Sequence, residues 1–513
     1  MRASKRMQNP RAIITATLVA LQSFHVTACG SDFKSGPTDA ASVETSSAPR
    51  GAVSDPVLAS DERASRDFDY ARNPKSAVIF VGDGMGVSTV TAGRIHAGQK
   101  RGVDGESFEL AWEDFPEVAL VKTYNYDAQV ADSAGTATAI FSGYRARIGQ
   151  VNVPPVLESD ESPTDPRMRA LTYCASGPRT PTLASLAKAS GRRVGVVSTA
   201  RITHATPAAV YGHSYNRSWE APSQVPEGLR EAGCTSLGEQ LAEAGLDLVM
   251  GGGARLEGVV DFAAYNPIEA LDAITLPALR LYADSHMSYE ADRKVAGPGG
   301  EPSLAEPSLA EPSLAEMTEA AMAALGAGGG DEAGSGAESG AGYLLVVEAG
   351  RIDHAHHDTN AYRALEDLDA LHEAVAVAER LAGEDTLIVV TADHGHVFTQ
   401  AGYPVRNNPI LGLVHSFDPE SRERMAEPDL ADDGKPYTTL SYANGPVLRE
   451  EVDWAAAESP DFRQPAGLRM ESETHSGEDV PLYATGPGSE LFGGVMDQPE
   501  VGQAIQRALG LTD

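Results

Sequence analysis

Ser76-Ala77-Val78-Ile79-Phe80-Val81 runs without a break into Gly82-Asp83-Gly84-Met85-Gly86, and this stretch decides the fold class of the 513-residue chain. Five continuous apolar residues after Ser76 are typical of a strand buried on both faces, and the glycines then end it on a carboxylate. Four further runs read the same way: Arg193–Ser198 (RVGVVS), Leu246–Met250 (LDLVM), Tyr343–Val347 (YLLVV) and Thr386–Thr391 (TLIVVT). Ala-rich helical patterns lie between them, Thr182–Ser190 and Ala361–Leu381 among them. Buried strands alternating with helices predict an α/β fold, with a largely parallel central sheet covered by helices on both faces.

The length allows one large α/β domain with insertions or two ordinary domains. A hydrophobic content of 42% fills a sizeable core, and 22% charged residues is ordinary for a water-exposed surface. The balance is not ordinary: 40 Lys+Arg against 73 Asp+Glu give a net charge of −33. Such a surface repels nucleic-acid phosphates and anionic lipid, so no nucleic-acid partner is expected. A small anion still binds where metal cations reverse the potential within a cleft.

Residues 1–28 read as a lipoprotein-type signal peptide. Arg2, Lys5, Arg6 and Arg11 precede an apolar run, Ala12 to Ala20, that is short for a membrane span. Val26-Thr27-Ala28-Cys29 resembles a bacterial lipoprotein cleavage box with Cys29 as the lipid-bearing residue; plain secretion with a free Cys29 is the alternative. The expectation is an exported protein, periplasmic or at the cell surface, anchored to a bacterial membrane through lipid. Residues 29–72, rich in Ser, Ala, Pro, Asp and Gly, read as a flexible tether. The rest, 73–513, reads as one catalytic domain. Within it EPSLA occurs three times over 301–316 and a Gly/Ala/Glu tract follows to Gly342, so about 300–342 is expected to be a low-complexity surface loop. About 400–470 is weak in periodicity and reads as an insertion. The chain holds three cysteines; with Cys29 lipidated, Cys174 and Cys234 remain as one disulfide pair or as two separate buried thiols.

In an open α/β sheet, ligands bind at the carboxyl ends of strands. Asp83 follows the first run; Glu348 follows YLLVV, with Asp353 and His357 five and nine residues on; Asp393 and His394 follow TLIVVT. Asp353 and His357 are one helical turn apart and can face one point. Carboxylates mixed with imidazoles suit zinc, and an oxygen-rich set suits magnesium. Taken singly, each is more often a cap or a solvated polar group. Ser133, ahead of an Ala/Thr-rich helical stretch, can sit at a helix N-terminus, where N–H groups and the dipole favour an alkoxide and a phosphate; an ordinary N-cap serine is the plainer reading.

GDGMG at 82–86, ADSAGTATA at 131–139, RITHATPAAVYGHSYNR at 201–217, VEAGRIDHAHH at 347–357, TADHGH at 391–396 and ETHSGEDVPLYATGP at 473–487 together resemble the alkaline phosphatases, in order from about Asn73 to the C-terminus. The resemblance implies hydrolysis of small phosphate monoesters through a phosphoserine at Ser133, with two zinc ions and one magnesium. It implies Asp353, His357 and His475 as ligands of the first zinc, and Asp83, Asp393 and His394 as ligands of the second. Asp83, Thr206 and Glu348 would serve magnesium, and Arg217 would clamp the phosphate. His204 and His354 stand near the third metal site. Both being histidine resembles the animal enzymes and implies a third site that binds its metal less tightly, or differently, than an aspartate version. His356, His213 and His396 match no ligand position and are expected to be structural or to support a ligand. Cys174 and Cys234 fall where animal-type members carry a disulfide. The 400–470 insertion resembles the crown region near the dimer interface, which implies a homodimer.

Two rivals differ in chemistry. Diesterases and sulfatases share this kind of sheet, but the diesterases usually carry a threonine nucleophile and the sulfatases a different motif. A non-catalytic metal or phosphate binder would lose Ser133 or Arg217, and both are present.

Overall fold

The computed structural model describes residues 73–155, 165–177, 180–295, 311–327 and 342–512. The signal segment expected over 1–28, the tether over 29–72 and Cys29 lie outside the described residues.

Eight strands come first in the chain: β1 (Ser76–Gly82), β2 (Glu117–Lys122), β3 (Arg193–Arg201), β4 (Leu248–Gly252), β5 (Asn266–Pro267), β6 (Ala278–Leu281), β7 (Tyr343–Ala349) and β8 (Thr386–Ala392). Five short ones follow: β9 (Gly395–His396), β10 (Phe398–Gln400), β11 (Leu440–Gly445), β12 (Ala466–Arg469) and β13 (His475–Ser476). β14 (Val480–Thr485) and β15 (Gly494–Asp497) complete the set. Ten strands form one sheet in the order β15-β2-β14-β8-β1-β7-β3-β4-β6-β5. The run from β8 to β5 is parallel throughout, and β14 alone opposes its neighbours. All five expected strands are present and lie in the parallel part.

Their composition explains their place. β1, β7 and β8 are buried along their full length, because β-branched and leucine side chains on both faces pack under helices. Helices Leu314–Gly326 and Ala361–Leu381 lie packed together, and helix Ser133–Ser142 packs against Ala205–Tyr211 and Gln498–Ala508.

The parallel register positions the site. Gly82 stands opposite both Ala349 of β7 and Ala392 of β8, so three adjacent strands end level with one another. Val81 and Ser198 pair with Glu348 from either side. Asp83, Glu348 and Asp393 therefore meet at one sheet edge, although 310 residues of sequence separate the first from the last.

The expected low-complexity loop over about 300–342 needs correction, since residues 314–326 are helix. The third EPSLA copy supplies the start signal: Ser313 accepts from the Glu316 N–H, and the Glu316 carboxylate accepts from the Ser313 N–H. Leu314, Met317, Ala321, Met322 and Leu325 then bury an apolar face. Within 400–470 the regular structure is slight, and β10, β11 and β12 make a separate small sheet. Cys174 and Cys234 are joined in a disulfide, amid a small apolar cluster with Trp219, Val225 and Leu229.

Candidate metal centre

Asp132, not Ser133, is the N-cap of helix Ser133–Ser142: its Oδ1 accepts from the Gly135 N–H at 3.1 Å. That leaves Ser133 in the first turn with its hydroxyl free for other work. The side chain is nearly fully buried, and Oγ lies 3.1 Å from His394 Nε2.

Candidate ligand atoms gather in several sets, of which three hold the expected residues; His396 stands in two others, with Asp353, His394 and His475 and with His357 and Glu473. In the first, His357 Nε2 and His475 Nε2 are 3.2 Å apart, and Asp353 Oδ1 is 3.4 Å from one and 3.3 Å from the other. Helix Arg351–His357 supplies Asp353 and His357 a turn apart, while β13 pairs with β9 to bring His475 in. In the second, His394 Nε2 lies 3.5 Å from Asp83 Oδ1 and 3.3 Å from Asp393 Oδ2. The third joins Asp83, Glu348 and His204, whose ligand atoms lie within 4.8 Å of one another.

The electrostatics call for cations. Both oxygens of Asp83, Oε1 of Glu348, Oγ1 of Thr206 and Nδ1 of His394 are buried without a hydrogen-bond partner. Burial, then the neighbouring Asp393, Asp353 and Glu348 carboxylates, drive Asp83 well above the usual carboxylate range. Burial likewise pushes Glu348 up to about 7, against the hydrogen bond it accepts from Ser198. Thr206 and Asp83 bear on the same carboxyl without reaching hydrogen-bond geometry. Buried carboxylates in such density are costly unless positive charge stands among them. Two imidazoles with one carboxylate, and one imidazole with two carboxylates, match zinc donor sets; two carboxylates with a hydroxyl match magnesium. The residues present therefore fit the metals.

Arg217 completes the centre. Its Nη1 donates to Asp132 Oδ2 at 3.0 Å and its Nη2 to His204 Nε2 at 3.0 Å. Arginine only donates, so His204 carries its proton on Nδ1, a nitrogen buried without a partner. Burial, then the Arg217 charge, holds His204 well below the usual histidine range.

Every site residue expected from sequence comes together here: Ser133, Arg217, Asp83, Thr206, Glu348, Asp353, His357, Asp393, His394 and His475, with His204 and His354 beside them. His356 is bound by Thr89 and Tyr442, and His213 by the Thr180 carbonyl, so both are structural. His396 lies between two carboxylates. Its Nε2 meets Asp353 Oδ1 at 2.8 Å and its Nδ1 meets Glu473 Oε2 at 2.6 Å. Burial works against an imidazolium there, but Glu473 and Asp353 outweigh it and raise His396 to about 10. Burial also raises the Asp353 carboxyl, yet His357, His396 and His475 together hold it well below its usual range. Sequence reasoning missed Asp132, Glu473 and Ser198. The first two stand inside the quoted motifs and could have been taken as supports for their neighbours; Ser198 carried no signal beyond ending a strand.

Comparison with known proteins agrees with this geometry. A family model described as alkaline phosphatase matches residues 74–258 and 269–511. The chain is 35% identical over 482 residues to the tissue-nonspecific alkaline phosphatase of Gallus gallus, covering 85% of this chain and 84% of that protein. Against the tissue-nonspecific isozyme of Homo sapiens it is also 35% identical, over 473 residues, covering 83% and 81%. Two solved structures share the fold. The alkaline phosphatase of Thermus thermophilus has a TM-score of 0.59 at 22% identity, covering 91% of this chain and 96% of that one. That of the Antarctic bacterium TAB5 has a TM-score of 0.55 at 20% identity, covering 86% and 99%. With the family match spanning nearly all of the described domain, this chain belongs to the alkaline phosphatase family of phosphomonoester hydrolases.

Proposed function

We propose that the chain hydrolyses phosphate monoesters to alcohol and inorganic phosphate through a phosphoserine on Ser133, at a centre holding two zinc ions and one magnesium. The observation that carries this is the position of Ser133 Oγ, 3.1 Å from His394 Nε2, at the start of a helix whose cap, Asp132, accepts from Arg217. When bound, the metals supply positive charge to the phosphoryl oxygens and make attacking oxygens more acidic.

The chain's own residues do the rest. Ser133 Oγ attacks phosphorus and the bond to the alcohol oxygen breaks. Water then releases phosphate by attack from the opposite side, in line with the leaving serine oxygen. Arg217 holds two phosphoryl oxygens with its planar fork, and Asp132 keeps that fork in place. The helix beginning at Ser133 directs its free N–H groups and dipole at the same oxygens. Asp353 and His357 on one helix, with His475 from β13, would hold the first zinc. Asp83, Asp393 and His394 would hold the second, and Asp83, Glu348 and Thr206 the magnesium.

Hydrolysis of p-nitrophenyl phosphate at pH 8–10 tests this, with Zn²⁺ and Mg²⁺, after chelation, and in Ser133→Ala. Turnover that needs metal and collapses in the variant is expected. Full activity in Ser133→Ala, or none in the metal-loaded wild type, would refute the mechanism.

We also infer export with a lipid on Cys29, and a homodimer formed near the 400–470 insertion. The signal-like residues 1–28 support the first, and family resemblance supports the second. Mass spectrometry of the mature N-terminus should find the lipid, and sedimentation should find twice the chain mass; an unmodified Cys29 or a monomer would overturn the respective reading.

A further inference from the structure

Beside the phosphate clamp stands a group of side chains that the proposed reaction does not use. Arg217 reaches His204, and the His204 ring lies 5.5 Å, centroid to centroid, from both His286 and His354. Those two rings are 4.1 Å apart. His286 comes from the loop after β6, pinned to the carboxyl end of β3 by the Met287 N–H, which donates to the Thr199 carbonyl at 2.9 Å. His286, His354 and Arg351 are each partly exposed, so a solute can reach them.

Arg351 is the unexplained member. It opens the helix that carries His354, three residues on. Its guanidinium lies 3.7 Å from the Tyr289 ring centroid, and its Nε is buried without a hydrogen-bond partner. Among the described residues no carboxylate pairs with it. The contrast is Arg201 nearby, which grips Glu220 through two hydrogen bonds of 2.7 Å. Asp367 does feel the Arg351 charge, but no ion pair forms: it is fully buried, bound by the Glu290 N–H at 3.2 Å, and burial, against Arg351, pushes it up to about 8. In a chain with 73 acidic and 40 basic side chains, a half-buried guanidinium left without a carboxylate is unusual. Packing on Tyr289 accounts for its stem and its flat face, but not for its unused in-plane donors.

His286 is already held through both ring nitrogens by Arg201 and is not free to bind a solute. We propose that Arg351 binds a second anionic group on the substrate, so that the site favours monoesters whose alcohol portion carries another phosphate. The inference rests on the phosphomonoesterase reading above.

The test compares initial rates of phosphate release from glucose 1,6-bisphosphate, glucose 6-phosphate and glucose 1-phosphate by the full metal-loaded protein. Wild type should show a higher kcat/KM for the bisphosphate than for either monophosphate. In Arg351→Gln that ratio should fall by about tenfold, the worth of one charge-assisted contact. Arg351→Lys should recover part of it. Equal rates for all three substrates in wild type would overturn the proposal. So would an Arg351→Gln variant that slows mono- and bisphosphate alike, which would mark Arg351 as a mere support for Asp353. If wild type turns over none of the three, the parent reading falls and this one with it.

Discussion

Asp132 and Arg217 meet at 3.0 Å, and the same aspartate caps the helix that starts at Ser133. One carboxylate thus fixes the nucleophile's helix with Oδ1 and the phosphate clamp with Oδ2, while also accepting from the Gly149 and Asn125 N–H groups. Replacing Asp132 by alanine should raise the inhibition constant of inorganic phosphate by about tenfold, since Arg217 loses its anchor. Loss of the cap should cost about 1 kcal/mol of stability in denaturant titration. An unchanged phosphate constant would show that Arg217 is held by His204 alone.

His396 has carboxylates at both of its nitrogens, Asp353 at one and Glu473 at the other. It orients Asp353, as groups behind a metal ligand commonly do. His396→Ala should weaken zinc retention at that set by about 10–100-fold, read by competition with a chelator of known affinity. Zinc content that withstands the chelator as in wild type would reduce His396 to packing.

Stability should depend on metal independently of turnover. Asp83, Glu348, Asp353 and Asp393 are all buried within one sheet edge, and bound cations favour the folded chain by mass action. Chelation should lower Tm by several degrees in wild type and in the inactive Ser133→Ala alike, with recovery on adding Zn²⁺. A Tm indifferent to chelation would contradict the idea that those carboxylates hold metal.

Away from the site, Lys100 donates to Glu366 at 2.9 Å and to Asp369 at 2.7 Å. Burial opposes the Glu366 carboxylate, but the bonds from His96 and Lys100 hold it at about 2. A folded value below the unfolded one, about 4.3, gives stability that is full above the unfolded value and fades as pH falls toward 2. The stability gap between wild type and Glu366→Gln should therefore narrow from pH 6 to pH 3 in urea unfolding. A constant gap would mean that the glutamate contributes shape rather than charge.

The parallel strands were legible because burial on both faces leaves only apolar residues over short runs, as in Ser76–Gly82 and Tyr343–Ala349. The candidate site residues stood out in the sequence because each follows such a run or lies in a motif that resembles a family. β2 escaped notice: Glu117, Lys122 and the exposed Val118 and Leu120 disguise a strand with one open face. Helix Leu314–Gly326 was hidden by its repeat, although Ser313 and Glu316 form a capping box. Arg351 and His286 could not be joined by sequence reading, since a loop after β6 brings one to the other only in three dimensions.

The level ending of β1, β7 and β8 divides the molecule's tolerance for change. The five-residue repeat leads into helix Leu314–Gly326, ahead of the amino end of β7, and Glu348 stands near the other end of that strand, a strand's length of about 20 Å away. Copies of a five-residue unit can be gained or lost on that side without shifting Asp83, Glu348 or Asp393 relative to one another. Replication errors thus have room at one edge of the sheet, while at the opposite edge a single inserted residue would pull a ligand out of its set.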